Sequence, residues 1–230
     1  MSLKKHIPNT ITLMNLLCGV LGVICAVEGR PDLAFPLMLA AAVFDFSDGL
    51  AARLLGAYSA IGKELDSLSD MVSFGVLPSL MLVYGAKGTG LQPEWLCYIP
   101  LFLALMSALR LAKFNVDDRQ STDFIGVATP TSAIMSGALC YSGIVLTQWF
   151  IPCFAVVMGL LLVSEIPMFG IKMAKGHKLL DAKRIVLLVL VAASIAVTAV
   201  LSLNWSIAVL LVFSCYIVEN LVIWILKIKS

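Results

Sequence analysis

The chain contains little charge for its length. Only 13% of its 230 residues are charged, whereas about a quarter are charged in a typical soluble domain. Hydrophobic residues make up 60% of the sequence, and the mean hydropathy is +1.00. This composition argues against a soluble globular domain and favours a protein that crosses a bilayer several times. The net charge of only +2 gives no basic field for nucleic acid, so we expect no nucleic-acid partner.

Paired metal-binding cysteines and histidines are also missing. The six cysteines lie singly in or beside apolar runs, and the two histidines have no partner at ligand spacing. We interpret these cysteines as small buried hydrophobic residues. The apolar runs are continuous rather than alternating, which excludes a membrane β-barrel.

Long apolar runs are what the sequence has in abundance. A helix needs about 20 mostly apolar residues to span a bilayer. The sequence predicts eight such spans, over residues 8–28, 33–55, 67–86, 94–113, 128–147, 150–171, 184–203 and 205–226. Lys4 and Lys5 precede the first run, which has no small-residue cleavage site after it, so we expect an uncleaved helix rather than a signal peptide. Six spans are the alternative.

The fold class expected is therefore an all-α membrane protein, a single domain over residues 1–230 with about eight transmembrane helices. Residues 128–171 and 184–226 are each expected to form a tight helical hairpin, with turns near Gln148 and Asn204.

The distribution of basic residues supports eight spans with both termini in the cytoplasm. With that topology 14 of the 16 lysines and arginines face the cytoplasm, and only Arg30 and Lys87 face the other side. Positive residues are enriched on the cytoplasmic side of membrane proteins. One span more or fewer would reverse every later loop. The sequence thus predicts an integral protein of the cell (cytoplasmic) membrane.

Four aspartates interrupt two of the predicted spans near the cytoplasmic side: Asp45, Asp48, Asp66 and Asp70. Each carboxylate costs roughly 2.5–3.5 kcal/mol at the centre of a membrane helix. Residues three or four apart share a helix face, so each pair points one way, and antiparallel packing would bring all four together. Hard divalent cations such as Mg²⁺ or Mn²⁺ prefer such oxygen ligands. Proton relays or pairing with basic residues are the alternatives for isolated acids.

Small and basic residues are interleaved with these acids. Gly49, Ala52 and Gly62 leave room for a bulky ligand to approach the backbone, and Arg53 offers two donors to a phosphate. The pattern fixes eight positions over 26 residues, in the order Asp45-Phe-Ser-Asp48-Gly49-Leu-Ala-Ala52-Arg53, eight residues, Gly62-Lys-Glu-Leu-Asp66-Ser-Leu-Ser-Asp70.

This pattern resembles the signature of the CDP-alcohol phosphotransferase family without a departure, within a similarity that covers about residues 5–150. The C-terminal hairpins, about residues 150–227, add little to it. The resemblance implies a homodimeric membrane enzyme that transfers a substituted phosphate from a CDP-linked donor to an alcohol and releases CMP.

The resemblance also implies roles for individual residues. The first three aspartates hold divalent metal, two ions of Mg²⁺ or Mn²⁺, with the help of Asp70, which also takes the proton from the attacking hydroxyl. The residues expected to contact the CDP part of the donor are Asn9, Thr12, Gly49, Ala52, Arg53, Ser59 and Gly62.

Two further segments narrow the resemblance to the phosphatidylserine synthase branch of the family. They are Leu65–Val76 and Leu109–Val116, whereas Phe124–Pro130 lacks one proline of the branch pattern, with Ala128 in that neighbourhood. The branch implies CDP-diacylglycerol as donor and L-serine as acceptor.

A physical argument also favours serine. Arg110 can bind a carboxylate through two hydrogen bonds, and Lys113 and Asn115 follow it at the cytoplasmic end of the fourth span. Membrane anchoring is the alternative for these basic residues. Glu165 and Glu219 fall in spans six and eight, where helix packing is the expected role.

Two alternatives for the function remain. One is the same transfer to glycerol 3-phosphate or inositol phosphate, whose dianions should demand a larger basic cluster than Arg110 and Lys113 supply. The other, of a different class, is an ion- or proton-coupled transporter, which would often show inverted repeats or broken helix pairs that this sequence lacks.

Overall fold

The computed structural model describes residues 6–117, 124–168 and 182–228, and most of these residues are helical. The helices are α1 (His6–Val27), α2 (Pro31–Leu55), α3 (Ala60–Asp70), α4 (Leu77–Gly88), α5 (Leu101–Val116), α6 (Thr129–Tyr141), α7 (Phe150–Val163), α8 (Ala182–Val200) and α9 (Trp205–Ile228). A π-helical turn (Met71–Val76) joins α3 to α4, and a 3₁₀ turn (Glu94–Tyr98) precedes α5. Two short strands, β1 (Phe124–Ile125) and β2 (Pro167–Met168), pair antiparallel.

Five helical stretches in the described residues are long and apolar enough to cross a membrane. They are His6–Val27, Pro31–Leu55, Ala60–Gly88, Glu94–Val116 and Trp205–Leu226. Large apolar side chains point outward from them: Val43, Phe46 and Leu105 are each more than 60% exposed. The all-helical prediction is confirmed and the helices suit a bilayer. Eight crossings and cytoplasmic termini stay predictions, and several basic loop residues that supported them, between 172 and 178, lie outside the described residues.

The predicted spans 128–147 and 150–171 are too long. Helix α6 has 13 residues and α7 has 14, which at ~1.5 Å per residue gives about 20 Å against a hydrocarbon core of about 30 Å. Helix α7 ends because the backbone becomes extended after Val163 and pairs with the segment before α6. Gly126 donates its N–H to the Ile166 carbonyl at 2.9 Å, and Val127 donates to the Leu161 carbonyl at 3.1 Å. Hydropathy cannot detect this change of hydrogen-bond partner.

The first predicted hairpin is also wrong in its packing. Helix α6 packs mainly against α2, α4 and α9, whereas α7 packs mainly against α5. The second hairpin is confirmed, since α8 packs against α9. Its turn contains Asn204, whose side-chain oxygen accepts a hydrogen bond from the Ser206 N–H at 3.1 Å, while its amide nitrogen donates to the Tyr141 carbonyl at 3.2 Å.

An aromatic cluster ties the C-terminal helix to the first half of the chain. Phe35 of α2 lies 5.4 Å from Trp205 of α9 and 5.5 Å from Tyr141 of α6, measured between ring centres. Phe35 is completely buried. Stacked and tilted pairs at such distances contribute about 0.5–1.5 kcal/mol beyond the area they bury.

One narrow stripe of α1 is buried, and it positions polar residues inside the bundle. The buried residues recur at alternating steps of four and three: Pro8, Thr12, Asn15, Gly19, Gly22 and Ala26. A Cβ atom at Gly19 would lie 3.0 Å from the Cα of Ser73 in the π-helical turn, and one at Gly22 would lie 2.6 Å from Leu77 Cδ2. Small residues allow membrane helices to approach this closely. The contact fixes the register of α1 against the long α3–α4 helix.

We predict that Gly19→Ala destabilises the protein, because the added methyl group must push α1 away from the backbone of the π-helical turn. Overpacking of this kind costs about 1–3 kcal/mol. Gly88→Ala is the matched control, since it also replaces a helical glycine but its Cβ has no neighbour within 4 Å. Thermal unfolding in detergent should show a midpoint several degrees lower for Gly19→Ala and an unchanged or higher midpoint for Gly88→Ala. Equal midpoints for the two variants would contradict the close approach.

Candidate active site

Three carboxylates from two helices meet at one end of the bundle. Asp45 and Asp48 lie one turn apart on α2, Asp66 lies on α3, and one oxygen from each lies within 4.8 Å of the others. The turn over residues 56–59 reverses the chain between these helices. Gly56 closes α2 in the left-handed conformation (φ 58°), which favours glycine. The antiparallel arrangement expected from the spacing is therefore present.

Asp70 lies one helical turn further along and is 9% exposed. Asp45 is within hydrogen-bonding reach of both Asp66 and Asp70, so the four aspartates form one group. The amide nitrogen of Asn15, on α1, donates a hydrogen bond to Asp70 Oδ1 at 3.2 Å. The π-helical turn begins directly after Asp70, and such turns occur frequently at functional sites.

The donor atoms of this group fit a hard divalent cation. Asp48 Oδ2 and Asp66 Oδ1 are buried and have no hydrogen-bond partner among the described residues. Among the described residues, no basic side chain forms an ion pair with Asp48 or Asp66. Buried carboxylates need a compensating charge. Oxygen ligands alone suit Mg²⁺ or Mn²⁺ rather than a softer metal.

A cavity of about 590 Å³ opens beside the carboxylates, between the start of α1, the end of α2 and the start of α3. Six of the seven residues that the sequence predicted as donor contacts line it: Asn9, Thr12, Gly49, Ala52, Ser59 and Gly62. Asp48 and Asp66 line it too, so the cavity reaches the carboxylates. The seventh residue, Arg53, is exposed and donates from Nε to the Gly49 carbonyl at 3.1 Å.

The first turn of α3 forms one wall of this cavity. Ser59 caps the helix, since its Oγ accepts the Gly62 N–H at 3.0 Å. A Cβ at Gly62 would lie 3.0 Å from Asn9 Oδ1, so glycine allows α1 to approach here. Helix N-termini favour phosphate groups because their N–H groups are free. Tyr58 and Lys63 also line the cavity, and the sequence analysis did not single them out as donor contacts.

A second, smaller cavity of about 240 Å³ lies between the end of α5 and the segment that follows α7. Its charged lining residues are Arg110, Lys113, Asp117 and Glu165. The prediction that Glu165 lies inside a membrane span is wrong. Because α7 ends at Val163, Glu165 falls in the extended segment and is exposed.

Arg110 connects the second cavity to the carboxylate group. It is only 7% exposed, its Nη1 donates to Thr129 Oγ1 at 3.0 Å, and its guanidinium lies 5.8 Å from the centre of the Phe114 ring. Its Nε is buried with no hydrogen-bond partner among the described residues. Arg110 also interacts electrostatically with Asp70. A buried cation with an unused donor, close to an acid and open to a cavity, can bind an anionic group.

Asn115 was predicted to contact serine together with Arg110 and Lys113, but it lies apart from them in the structure. Its side-chain amide nitrogen donates to Ser67 Oγ at 2.8 Å, and its backbone carbonyl accepts a hydrogen bond from Lys63 Nζ at 2.9 Å. It is not among the residues that line the second cavity. Asn115 thus joins α5 to α3 next to Asp66.

Comparisons with known proteins agree with this geometry. Residues 5–161 match the model of the family described as CDP-alcohol phosphatidyltransferase. The chain is 31% identical over 224 residues to a CDP-diacylglycerol–serine O-phosphatidyltransferase of Mycobacterium tuberculosis, covering 92% of this chain and 76% of that protein. It is 37% identical over 126 residues to the Bacillus subtilis protein of the same name, covering 55% of this chain and 70% of that protein.

An archaeal relative is similar as well. The archaetidylserine synthase of Methanothermobacter thermautotrophicus is 33% identical over 139 residues, which covers 60% of this chain and 58% of that protein. The matched residues include all four aspartates, the start of α1 that lines the larger cavity and the end of α5 that lines the smaller one. The chain belongs to the CDP-alcohol phosphatidyltransferase family.

Proposed function

We propose that this protein transfers the phosphatidyl group of CDP-diacylglycerol to the hydroxyl of L-serine, giving phosphatidylserine and CMP. The observation that carries the proposal is the group of four aspartates, which adjoins a cavity lined by the predicted donor contacts. The relatives named CDP-diacylglycerol–serine O-phosphatidyltransferase support this choice of substrates, since similarity to one of them extends over 92% of the chain.

The donor's CDP group occupies the larger cavity in this proposal. Asn9, Thr12 and Ser59 offer polar atoms to the nucleotide, while Gly49, Ala52 and Gly62 leave room for it. Arg53, at the exposed edge, reaches the diphosphate, because its planar guanidinium can form paired bonds with phosphate oxygens. The acyl chains remain in the bilayer beside α1 and α2.

Asp45, Asp48 and Asp66, assisted by Asp70, hold two divalent ions, Mg²⁺ or Mn²⁺. When bound, the metal neutralises charge on the diphosphate and on the CMP leaving group. Asp70 also acts as general base. As the serine oxygen forms its bond to the phosphorus of the phosphatidyl group, Asp70 accepts the hydroxyl proton. The bond between this phosphorus and the bridging oxygen breaks, and CMP leaves with the electron pair.

Serine enters through the smaller cavity. Arg110 binds its carboxylate with the donor that no described residue uses, and Lys113 adds a second positive charge at the entrance. Asn115, the third predicted serine contact, acts indirectly by holding α5 against α3 through Ser67. A phosphorylated alcohol would bring a dianion to a cavity that also contains Asp117 and Glu165, which favours serine over glycerol 3-phosphate or inositol phosphate.

The proposed enzyme is a homodimer in the cell membrane. Each chain crosses the bilayer eight times, with both termini and both cavities on the cytoplasmic side. The bias of basic residues supports this orientation.

We predict that purified protein with CDP-diacylglycerol and Mn²⁺ or Mg²⁺ releases CMP with L-serine and not with glycerol 3-phosphate or inositol phosphate. A chelator should abolish the release, and added metal should restore it. Labelled serine should appear in the lipid fraction. No CMP release with any alcohol would defeat the enzyme assignment and favour a transporter, whereas release with a phosphorylated alcohol alone would defeat the choice of serine.

We further predict that Arg110→Lys raises the serine KM at least tenfold and leaves the KM for CDP-diacylglycerol within about twofold. Lysine keeps the charge but loses the paired donors of the guanidinium, and losing one charged hydrogen bond corresponds to about 1.5–3 kcal/mol. Lys87→Arg, at the far end of α4, is the control with the reverse exchange. Equal rises in both KM values for Arg110→Lys would show that Arg110 supports the whole site rather than the acceptor.

A further inference from the structure

Asn15 is a polar residue in the middle of an apolar helix, and neither the sequence pattern nor the proposed roles above use it. It is completely buried on the stripe of α1 that faces the π-helical turn. Its amide nitrogen donates to Asp70 Oδ1 at 3.2 Å across 55 residues of sequence. Its own side-chain oxygen has no hydrogen-bond partner among the described residues.

Packing alone does not account for an amide at this position. Its neighbours on the stripe are Thr12, Gly19 and Gly22, and a small apolar residue would also allow the close approach of α1. A buried polar atom left without a partner costs about 1–3 kcal/mol. The asparagine therefore carries a cost in stability that its single bond to Asp70 does not remove.

The bond acts on one oxygen of the carboxylate. The amide N–H on Oδ1 restricts the orientation of the Asp70 carboxylate and leaves Oδ2 without a bond to Asn15. An amide is also a neutral donor, so it orients Asp70 without adding a further charge to the group. A misplacement of about 1 Å at a reacting group can reduce a rate about a hundredfold.

We propose that Asn15 is a positioning residue for the transfer reaction, acting through the carboxylate of Asp70. The proposal rests on the function of Asp70 as general base given above. The backbone of Asn15 has a separate contact with the π-helical turn: Ser73 Oγ donates to its carbonyl at 3.1 Å, where Gly19 lets the two helices meet.

The test compares Asn15→Leu and Asn15→Asp with Ser73→Ala. Leucine and aspartate have nearly the size of asparagine, but neither offers the N–H donor, and aspartate also adds a fifth acid. Ser73→Ala is the matched control, because it removes a buried hydrogen bond to the same residue but leaves the amide on Asp70. The readouts are kcat, both KM values at saturating Mn²⁺, and the thermal midpoint in detergent.

We expect kcat of Asn15→Leu to fall roughly tenfold to a hundredfold, a part of what a positioned general base contributes. The KM values for CDP-diacylglycerol and serine should stay within about threefold, and the thermal midpoint should not fall below that of Ser73→Ala. Asn15→Asp should lose at least as much kcat. Ser73→Ala should keep kcat within about twofold of the unmodified protein.

Asp70→Asn separates this inference from the proposed function. We expect it to abolish turnover while donor binding is kept. If Asp70→Asn turns over near the normal rate, the role of Asp70 as base is wrong. If Asp70→Asn is inactive but Asn15→Leu retains the kcat of Ser73→Ala, the positioning role of Asn15 is wrong. A fall in the thermal midpoint together with higher KM values would likewise overturn it in favour of a structural role.

Discussion

Repulsion among carboxylates that the helices force together governs this end of the bundle. Oxygens of Asp45, Asp48 and Asp66 lie within 4.8 Å of one another, and Asp70 adjoins them. Two like charges about 4 Å apart repel by about 4 kcal/mol at an effective dielectric constant of 20. Close helix packing at Gly19 and Gly62, together with the turn at Gly56, nevertheless holds the backbone that carries them in place. Such a group needs cations, which couples the packing of α1, α2 and α3 to metal binding.

Two of these acids, Asp48 and Asp66, line the larger cavity, and the smaller cavity differs from it in chemistry. The larger one is lined by small side chains and by the start of α3, which suits the proposed nucleotide diphosphate. The smaller one contains both basic and acidic side chains, as an amino acid requires. Lys63 and Ser67 of α3 form hydrogen bonds with Asn115 of α5. These bonds tie α3, which lines the larger cavity, to α5, which lines the smaller one.

Features of the fold and the site that depend on residues close in sequence were predictable, whereas those that depend on distant segments were not. The grouping of the acids follows from helical spacing, because side chains three or four apart must share a face and the turn before Ser59 is short. The donor contacts were implied by the resemblance to the family. Chain reversal between α8 and α9 was similarly local. Hydropathy missed the end of α7, where the Leu161 and Ile166 carbonyls accept hydrogen bonds from Val127 and Gly126. Pro167, which cannot continue a helix, was the local signal for this end.

The sequence pattern also could not predict individual long-range contacts. Asn15 lies three residues after Thr12 on one helix face, which was a usable signal, but its partner Asp70 is 55 residues away. Asn115 pairs with Ser67 across 48 residues of sequence, although its position near Arg110 and Lys113 had suggested a contact with serine. Hydropathy placed Glu165 in a membrane span, and the early end of α7 moved it to the entrance of the second cavity.

Metal binding by the purified protein tests the central claim most directly. Electron paramagnetic resonance in detergent, without substrate, would count bound Mn²⁺ in the unmodified chain, in Asp66→Asn and in Asp32→Asn, an exposed acid paired with Arg30. The account predicts two Mn²⁺ ions per chain in the unmodified protein and in Asp32→Asn, and at least tenfold weaker binding in Asp66→Asn. Equal Mn²⁺ binding by all three proteins would contradict it.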